Sequence, residues 1–326
     1  MTIPPLKLGS LEIWPPVVSA PMAGYTGGVY REILREHGCP YSYTEMVSAK
    51  GLLHGGDDSQ EILSHRDEDR PLAVQIFGYE AESMAKAAAM LSEDDRGFAA
   101  IDINMGCPAR KITSQGSGGA LLKNVSLACD ILRAVKESSK LPVTVKARLG
   151  WADSSGAVEF AKAMADAGVD MLVFHGRTVS QGYSGKADWR TIEEAASEVP
   201  VPVVGNGDIT TAKEALDRVE NGPCAGVMVG RAILGNPVFF DELVALLRGE
   251  EPEDYTGERK MSLAKEHFMR SIERYGERRG LLEMRKQLVF YFRGMRGAAR
   301  LREAVLKEKS AEAVVRLLDE GWRAFQ

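Results

Sequence analysis

Cysteine is scarce in this sequence: Cys39, Cys107, Cys129 and Cys224 are the four in 326 residues, and no Cys-x-x-Cys pair occurs. That spacing argues against a zinc site and against a disulfide framework, and it fits a reducing compartment. No metal site is expected. Long apolar runs are also missing, since none approaches the ~18–20 residues that cross a bilayer as a helix. The opening stretch, MTIPPLKLGSLEIWPP, has no apolar segment followed by a small-residue cleavage site. No export signal and no membrane association are expected, and the expected location is the cytoplasm. Positive charge is in deficit, with 41 Lys+Arg against 46 Asp+Glu, a net charge of −5 and a pI near 5.7. Such a chain does not bind nucleic acid through bulk charge; only a local basic patch can serve. Nothing in the sequence marks an obligatory protein partner.

What the chain does have is alternation. Short β-rich apolar runs fall at Pro16–Ala20, Tyr41–Glu45, Ala73–Phe77, Ala99–Ile103, Val143–Ala147, Met171–Phe174, Val203–Gly205 and Gly226–Val229. Between most of them lie segments with helical spacing, including Glu80–Leu91, Ser126–Ser138, Gly156–Ala167 and Thr211–Asn221. Strand-then-helix repetition implies parallel strands joined by crossovers. A doubly wound open sheet shares much of this pattern, but eight units favour an α/β fold of the closed (β/α)8 TIM-barrel type. Past Pro237 the pattern changes. Glu250–Asp254 is polar, contains proline and reads as a linker, and from about Lys260 only helical spacing remains. The expected organisation is a catalytic barrel over residues 1–245 and a small all-helical C-terminal domain over residues 255–326.

In such barrels the active site lies at the C-terminal ends of the strands, with phosphate often bound beyond the last two. The seventh run ends in Val204-Gly205-Asn206-Gly207-Asp208-Ile209 and the eighth in Val229-Gly230-Arg231-Ala232. Glycines let backbone approach a phosphate, a following helix start offers free N–H groups, and Arg231 adds charge. Taken singly, either turn reads equally well as a tight βα connection; two on adjacent strands favour phosphate binding. Other polar residues stand at strand ends: Gln75, Asn104, Lys146 and His175. Together they can ring a planar heterocycle. A lysine at the N1/O2 edge of a flavin would stabilise the anionic reduced ring. Alone, Lys146 would read as a snorkelling strand-end lysine and His175 as structural.

The most informative stretch is Asp102-Ile103-Asn104-Met105-Gly106-Cys107-Pro108, which leaves a strand, turns at glycine and presents a thiol. It runs on through Arg110-Lys111 to the flexible Gly116-Ser117-Gly118-Gly119-Ala120. Cys39, Cys129 and Cys224 read as small buried hydrophobes. Beside a reduced flavin, the Cys107 thiol has two candidate roles, nucleophile or proton donor. No histidine lies near it in sequence, and an unperturbed thiol with a pKa of ~8.5 is mostly protonated at neutral pH. It therefore suits protonation of a carbanion left by hydride addition, such as the enolate formed when hydride reaches C6 of uracil.

Between Met284 and Lys309 stand Arg285, Lys286, Arg293, Arg296, Arg300, Arg302, Lys307 and Lys309, eight cations opposed only by Glu303 and Glu308. Phe290, Tyr291 and Phe292 interleave with them. This is a basic patch suited to nucleic-acid phosphates, or else a solvated helix face with an aromatic core stripe. Arg110, Lys111 and Lys123 can extend the same surface.

These residues resemble the tRNA-dihydrouridine synthase family. The resemblance rests on Ala20-Pro21-Met22-Ala23-Gly24, Val74-Gln75-Ile76-Phe77-Gly78, Asn104-Met105-Gly106-Cys107-Pro108, Val145-Lys146-Ala147-Arg148 and His175-Gly176-Arg177-Thr178. It continues through Gln181–Gly185, Ala187-Asp188-Trp189, Gly205–Asp208 and Gly230-Arg231-Ala232, in the family order, and looks most like the bacterial B type. One departure is Arg285-Lys286-Gln287, where the family usually has Arg-Lys-His.

The resemblance implies FMN held by Pro21, Met22, Gln75, Lys146, His175, Asn206, Gly207, Gly230 and Arg231, with Cys107 as general acid. Asn104, Arg148, Arg177 and Tyr183 would contact the uracil or its surroundings, and Arg285 and Lys286 the tRNA. NADPH would reduce the flavin and leave before RNA binds. The uridine has to leave its stack to reach the flavin. Two other readings compete: a small-molecule FMN barrel reductase similar to dihydroorotate dehydrogenases, and a tRNA-binding module that keeps a flavin without using it. The first does not account for a basic helical domain after the barrel.

Overall fold

The structure, a computed structural model, describes residues 3–320 and 322–323. Residues 1–2 and 324–326, at the outer ends of the two expected domains, lie outside the described residues, as does Gly321. The strands are β1 (Leu6–Leu8), β2 (Leu11–Ile13), β3 (Val17–Ser19), β4 (Ser42–Tyr43), β5 (Val47–Ser48), β6 (Leu72–Phe77), β7 (Ala100–Met105), β8 (Val143–Arg148), β9 (Met171–His175), β10 (Val203–Asn206) and β11 (Gly226–Val229).

Buried runs of Val, Ile, Leu and Ala, apolar on both faces, belong to parallel strands covered by helices. Here they lie side by side in the order β3-β11-β10-β9-β8-β7-β6-β4, parallel throughout. Between the end strands, Ser19 N donates to the Tyr41 carbonyl oxygen (3.1 Å) and Ser19 Oγ to Ser42 Oγ (3.1 Å). The sheet thus closes into the expected (β/α)8 barrel. Its interior is packed by Val18, Tyr41, Tyr43, Ala73, Met171, Val173, Val204 and Met228.

Two local features depart from the expected strands. The hairpin β1–β2 is not among them. Its buried Leu6, Leu8 and Ile13 join the interior cluster, and a Cβ on Gly226 would stand 3.4 Å from Leu6 Cδ2. A segment of two three-residue strands is too short to show periodicity in sequence. The second expected strand, Tyr41–Glu45, is regular only at β4, and β5 follows beyond its expected end, both paired to β6. Between them Thr44 Oγ1 accepts from Gln75 N (3.0 Å), and Glu45 Oε1 accepts from Gly24 N (2.6 Å).

The barrel helices match expectation to within a residue: Ala81–Ser92, Val125–Ser138, Ala157–Asp166 and Ala212–Asn221. Their starts have local causes. Asn124 caps the second through Leu127 N, and Thr211 with Glu214 forms a reciprocal capping box. Residues 250–254 have no regular structure. Helices Gly257–Tyr275, Glu277–Tyr291, Ala298–Lys307 and Ala311–Asp319 follow. Gly257–Tyr275 lies along barrel helix Gly28–Glu36, joined by Arg274 to Glu32 (2.7 Å), Arg270 to Glu36 (2.7 Å) and the His267 ring stacked on Tyr30 at 4.8 Å.

Candidate active site

At the C-terminal ends of the strands a cavity of about 630 Å³ opens between barrel and helices. Nine of the expected residues form its wall: Pro21, Met22, Lys146, His175, Tyr183, Asn206, Gly207, Gly230 and Arg231. Gln75, Asn104, Cys107 and Arg148 stand outside that wall; the first three form one hydrogen-bonded series, and Arg148 binds the Gly106 carbonyl beside the cysteine.

The bonding starts at buried Asp102 on β7. Thr144 Oγ1 donates to one carboxylate oxygen of Asp102 (2.5 Å), and Gln75 Nε2 donates to the other (2.7 Å). Asn104 Nδ2 donates to Gln75 Oε1 (2.8 Å), and Asn104 Oδ1 accepts from Cys107 N (2.9 Å) and Gly106 N (3.2 Å). The side chains on adjacent strands thus fix the turn that carries the thiol. Gly106 packs closely on the next strand: a Cβ there would lie 3.3 Å from the Ala147 carbonyl carbon and 3.4 Å from Arg148 N. Gly119 N donates to the Cys107 carbonyl (3.0 Å), so the glycine loop folds back beneath the cysteine.

Charges in this region are shifted by burial. Burial pushes the Cys107 thiol above its ordinary value, opposed by Arg148 and Lys146, so it is protonated at neutral pH. Burial lowers Lys146 to about 8, with Asp102 opposing and Arg148 adding to the fall. Asp102 is raised by burial to about 6 against its bonds to Thr144 and Gln75. His175 is held down to about 2 by burial and then by Lys146, Arg148, Arg177 and Arg231, and Arg177 Nη1 stands 3.3 Å from its Nε2. A neutral imidazole therefore faces the cavity.

The two expected substrate arginines are buried and largely occupied by backbone. Arg148 donates to the carbonyls of Gly106 (3.0 Å), Thr178 (2.8 Å) and Gly182 (2.6 Å). Arg177 donates to the carbonyls of Ser184 (3.1 Å) and Gly185 (2.7 Å) and to both oxygens of Asp208 (2.8 Å each). They hold the 178–185 loop, and that loop presents Tyr183, which is 62% exposed, with its ring 5.6 Å from Arg148 and 5.3 Å from Arg231.

At the turn after β10, Asp208 is a residue that sequence reasoning missed. It is the one non-glycine with positive φ (54°) among the described residues, a conformation costing about 1–2 kcal/mol. Its carboxylate offsets that cost by binding Arg177, Arg231 (3.0 Å) and Ala187 N (2.8 Å). Its position in Gly-Asn-Gly-Asp was the available signal. Trp189 belongs to one of the family motifs without a role of its own there. Its ring fills the space beside Gly205, where a Cβ would lie 2.3 Å from it, and its Nε1 donates to the Gly207 carbonyl (2.9 Å). Lys146 Nζ donates to Asn206 Oδ1 (3.4 Å), and Asn206 Nδ2 to the Met228 carbonyl (2.7 Å).

Arg285 and Lys286 lie away from this wall. Lys286 lines a second cleft with Gly24, Glu45 and Gln287, and Arg285 Nη2 donates to the Glu308 carbonyl (2.9 Å). Of the eight cations in the 284–309 patch, only Lys307 pairs with a carboxylate, Glu303; the other seven have no acidic partner among the described residues. Most other cations of the helical segment are paired, among them Arg259, Lys265, Arg270, Arg274 and Arg279. Most of the patch is therefore not tied up in ion pairs, although Lys286 shares its cleft with Glu45, Glu61 and Glu283.

Fold and site together define a (β/α)8 barrel with glycine-rich turns after its last two strands and a partly buried, protonated thiol on the loop after its fourth strand. The family model for dihydrouridine synthase (Dus) matches residues 18–324. The chain is 37% identical over 321 residues to the probable tRNA-dihydrouridine synthase 1 of Synechocystis sp., covering 97% of this chain and 89% of that one. It is 38% identical to the probable tRNA-dihydrouridine synthase of Rhodobacter capsulatus (96% of each), and 33% to tRNA-dihydrouridine synthase B of Pasteurella multocida (92% and 90%). The chain belongs to the dihydrouridine synthase family. Solved structures similar to it include histamine dehydrogenase from Rhizobium sp. 4-9 (TM-score 0.57, 14% identity, 76% of this chain and 48% of that one). Another is the old yellow enzyme homologue of Zymomonas mobilis (0.54, 13%, 78% and 94%). At these identities they bear on the barrel alone.

Proposed function

We propose that this chain is an FMN-dependent tRNA-dihydrouridine synthase that reduces the C5=C6 bond of uridine in tRNA at the expense of NADPH. The relatives named as tRNA-dihydrouridine synthases support the substrate. The observation that carries the chemistry is the bonded series Asp102–Gln75–Asn104–Cys107, which fixes a protonated thiol beside the cavity wall formed by Lys146, His175 and the two glycine turns.

The residues present fit the cofactor. Pro21 and Met22 offer an apolar ledge, and Lys146 a cation for the electron-rich edge of the ring. Gly230 leaves open space, with nothing closer to a Cβ than 3.8 Å, and Arg231 opens a short helical turn whose first N–H groups lack intrahelical acceptors. When bound, FMN supplies the hydride that adds to C6 of the uracil, and NADPH restores it.

The chain's own residues do the rest. Cys107 Sγ–H gives its proton to C5 as the enolate charge collapses, and the thiolate left behind is stabilised by Arg148 and Lys146. Solvent returns the proton, so each turnover consumes one uridine, one NADPH and one H⁺. Arg148, Arg177 and Asn104 act as positioning residues that set the cysteine turn and the Tyr183 loop, leaving the exposed Tyr183 to meet the base. The barrel, residues 1–245, is the catalytic domain; residues 255–326 form the tRNA-binding domain, with Arg285, Lys286, Arg296, Arg300, Arg302 and Lys309 on RNA phosphates. No helix among the described residues is long and apolar enough to cross a membrane, and we place the enzyme with its substrate in the cytoplasm.

The test is direct. Purified protein, an unmodified tRNA transcript and NADPH should yield tRNA heavier by one H2 per modified uridine, with the flavin spectrum bleaching under NADPH and recovering on adding tRNA. Reduction of a free pyrimidine in place of tRNA would overturn the reading.

A further inference from the structure

The C-terminal helices border the main cavity, and their junction with the barrel there is tight. Tyr255 Oη donates to the Gly235 carbonyl (2.9 Å) and Tyr30 Oη to the Ile233 carbonyl. Gly235, at φ +64°, presses on the last turn of helix Glu277–Tyr291; a Cβ there would lie 2.5 Å from both Phe290 C and Tyr291 N. The connection that carries Gly230 and Arg231 is thus wedged against the helical segment.

Two cations of that segment line the same cavity, Lys260 and Arg293. Neither has a carboxylate partner among the described residues, although Arg259, next to Lys260, binds both Asp241 and Glu253. Lys260 Nζ donates to the Arg293 carbonyl (3.1 Å), and the Arg293 guanidinium lies 4.3 Å over the Phe290 ring. Burial lowers both cations, and Arg231 and Arg302 lower Arg293 further, so like charges are gathered here. The two carboxylates of the cavity wall do not offset them. Asp208 is bound to Arg177 and Arg231, and Glu242 forms no ion pair with Lys260 or Arg293, its carboxyl held above the usual range by burial and then by Asp241, with Arg259 opposing. Unpaired positive charge on a concave wall is favourable chiefly when an anion joins it.

We propose that Lys260 and Arg293 form, with Arg231, a phosphate subsite in the outer part of this cavity, so that the helical segment binds nucleotide as well as RNA. The inference rests on the flavin reading above. Its ligand is a terminal phosphate monoester, and two molecules carry one: FMN itself, and the dinucleotide reductant through the phosphate on its adenosine ribose.

The double variant Lys260→Gln/Arg293→Gln, stripped of flavin, is titrated with FMN and with riboflavin by fluorescence, and kcat/KM of the reloaded enzyme is measured with NADPH and NADH. If FMN is the ligand, FMN affinity falls about tenfold or more and riboflavin affinity does not. If the reductant is the ligand, kcat/KM for NADPH falls about tenfold while that for NADH holds. Arg293→Lys, which keeps the charge, should recover part of either loss and separates charge from folding. Equal losses for phosphorylated and unphosphorylated partners, no loss at all, or a rise confined to the KM for tRNA would overturn the subsite. A wild-type protein that binds neither FMN nor riboflavin would instead sink the flavin reading itself.

Discussion

Arg148 Nε donates to the carbonyl oxygen of Gly106 at 3.0 Å, so the strand that bears Lys146 also holds the turn that bears Cys107. The same guanidinium binds the carbonyls of Thr178 and Gly182, tying two loops over one cavity. A lysine offers a point charge in place of this planar fork. Arg148→Lys should therefore keep its flavin, lose about 1–3 kcal/mol of stability, and lower kcat by about tenfold or more. Thermal unfolding and steady-state kinetics check this; a kcat equal to wild type would show that the tether does not position the thiol.

The unpaired cations of residues 284–309 predict a salt-dependent grip on RNA. Removing both charges by Arg285→Gln and Lys286→Gln should weaken tRNA binding and flatten its dependence on salt by about one unit of slope for each phosphate no longer held. The two sites differ in surroundings. Lys286 is exposed, so its loss should leave the melting temperature alone; Arg285 is half-buried on the Glu308 carbonyl, so its loss should lower it. Filter binding at several salt concentrations reads the slope, and an unchanged slope would move the RNA elsewhere.

His267 joins barrel and helical segment from a buried position, with Nδ1 3.1 Å from Tyr291 Oη and its ring stacked on Tyr30. Burial, then nearby Arg270, holds it down to about 3 from the ordinary 6.5. Between those values the unfolded chain takes up a proton that the native imidazole refuses. Stability from this group is complete above about 6.5 and drains away as pH falls toward 3, by about 2 kcal/mol at pH 5. His267→Gln should be less stable at neutral pH yet lose less on acidification to about pH 5. Parallel pH–stability curves would contradict this.

How much was legible in the sequence follows from the range of the forces involved. The eight barrel strands and their helices are set by local apolar runs and caps, such as the Thr211–Glu214 box, and these were readable. Lys146, His175, Asn206 and the glycine turns stand at strand ends, so the barrel geometry alone brings them to one rim. The hairpin β1–β2 is too short for a periodic signal, and β4 breaks because Thr44 takes the Gln75 N–H, a tertiary contact. The same limit hid Lys260, which reaches the cavity only because the helical segment packs on the Gly235 turn. The family resemblance assigns Arg148 and Arg177 to the base; their many carbonyl partners lie 30 or more residues away or on an irregular loop, where sequence spacing says nothing.

A single-turnover experiment on Cys107→Ala tests the heart of this account. The variant is reduced with NADPH under anaerobic conditions, mixed with unmodified tRNA, and followed by flavin reoxidation and by dihydrouridine content. The account predicts normal flavin content and normal reduction by NADPH, with product formation slowed about 10²–10⁴-fold. Dihydrouridine formed at the wild-type rate would mean that the proton comes from somewhere other than the Cys107 thiol.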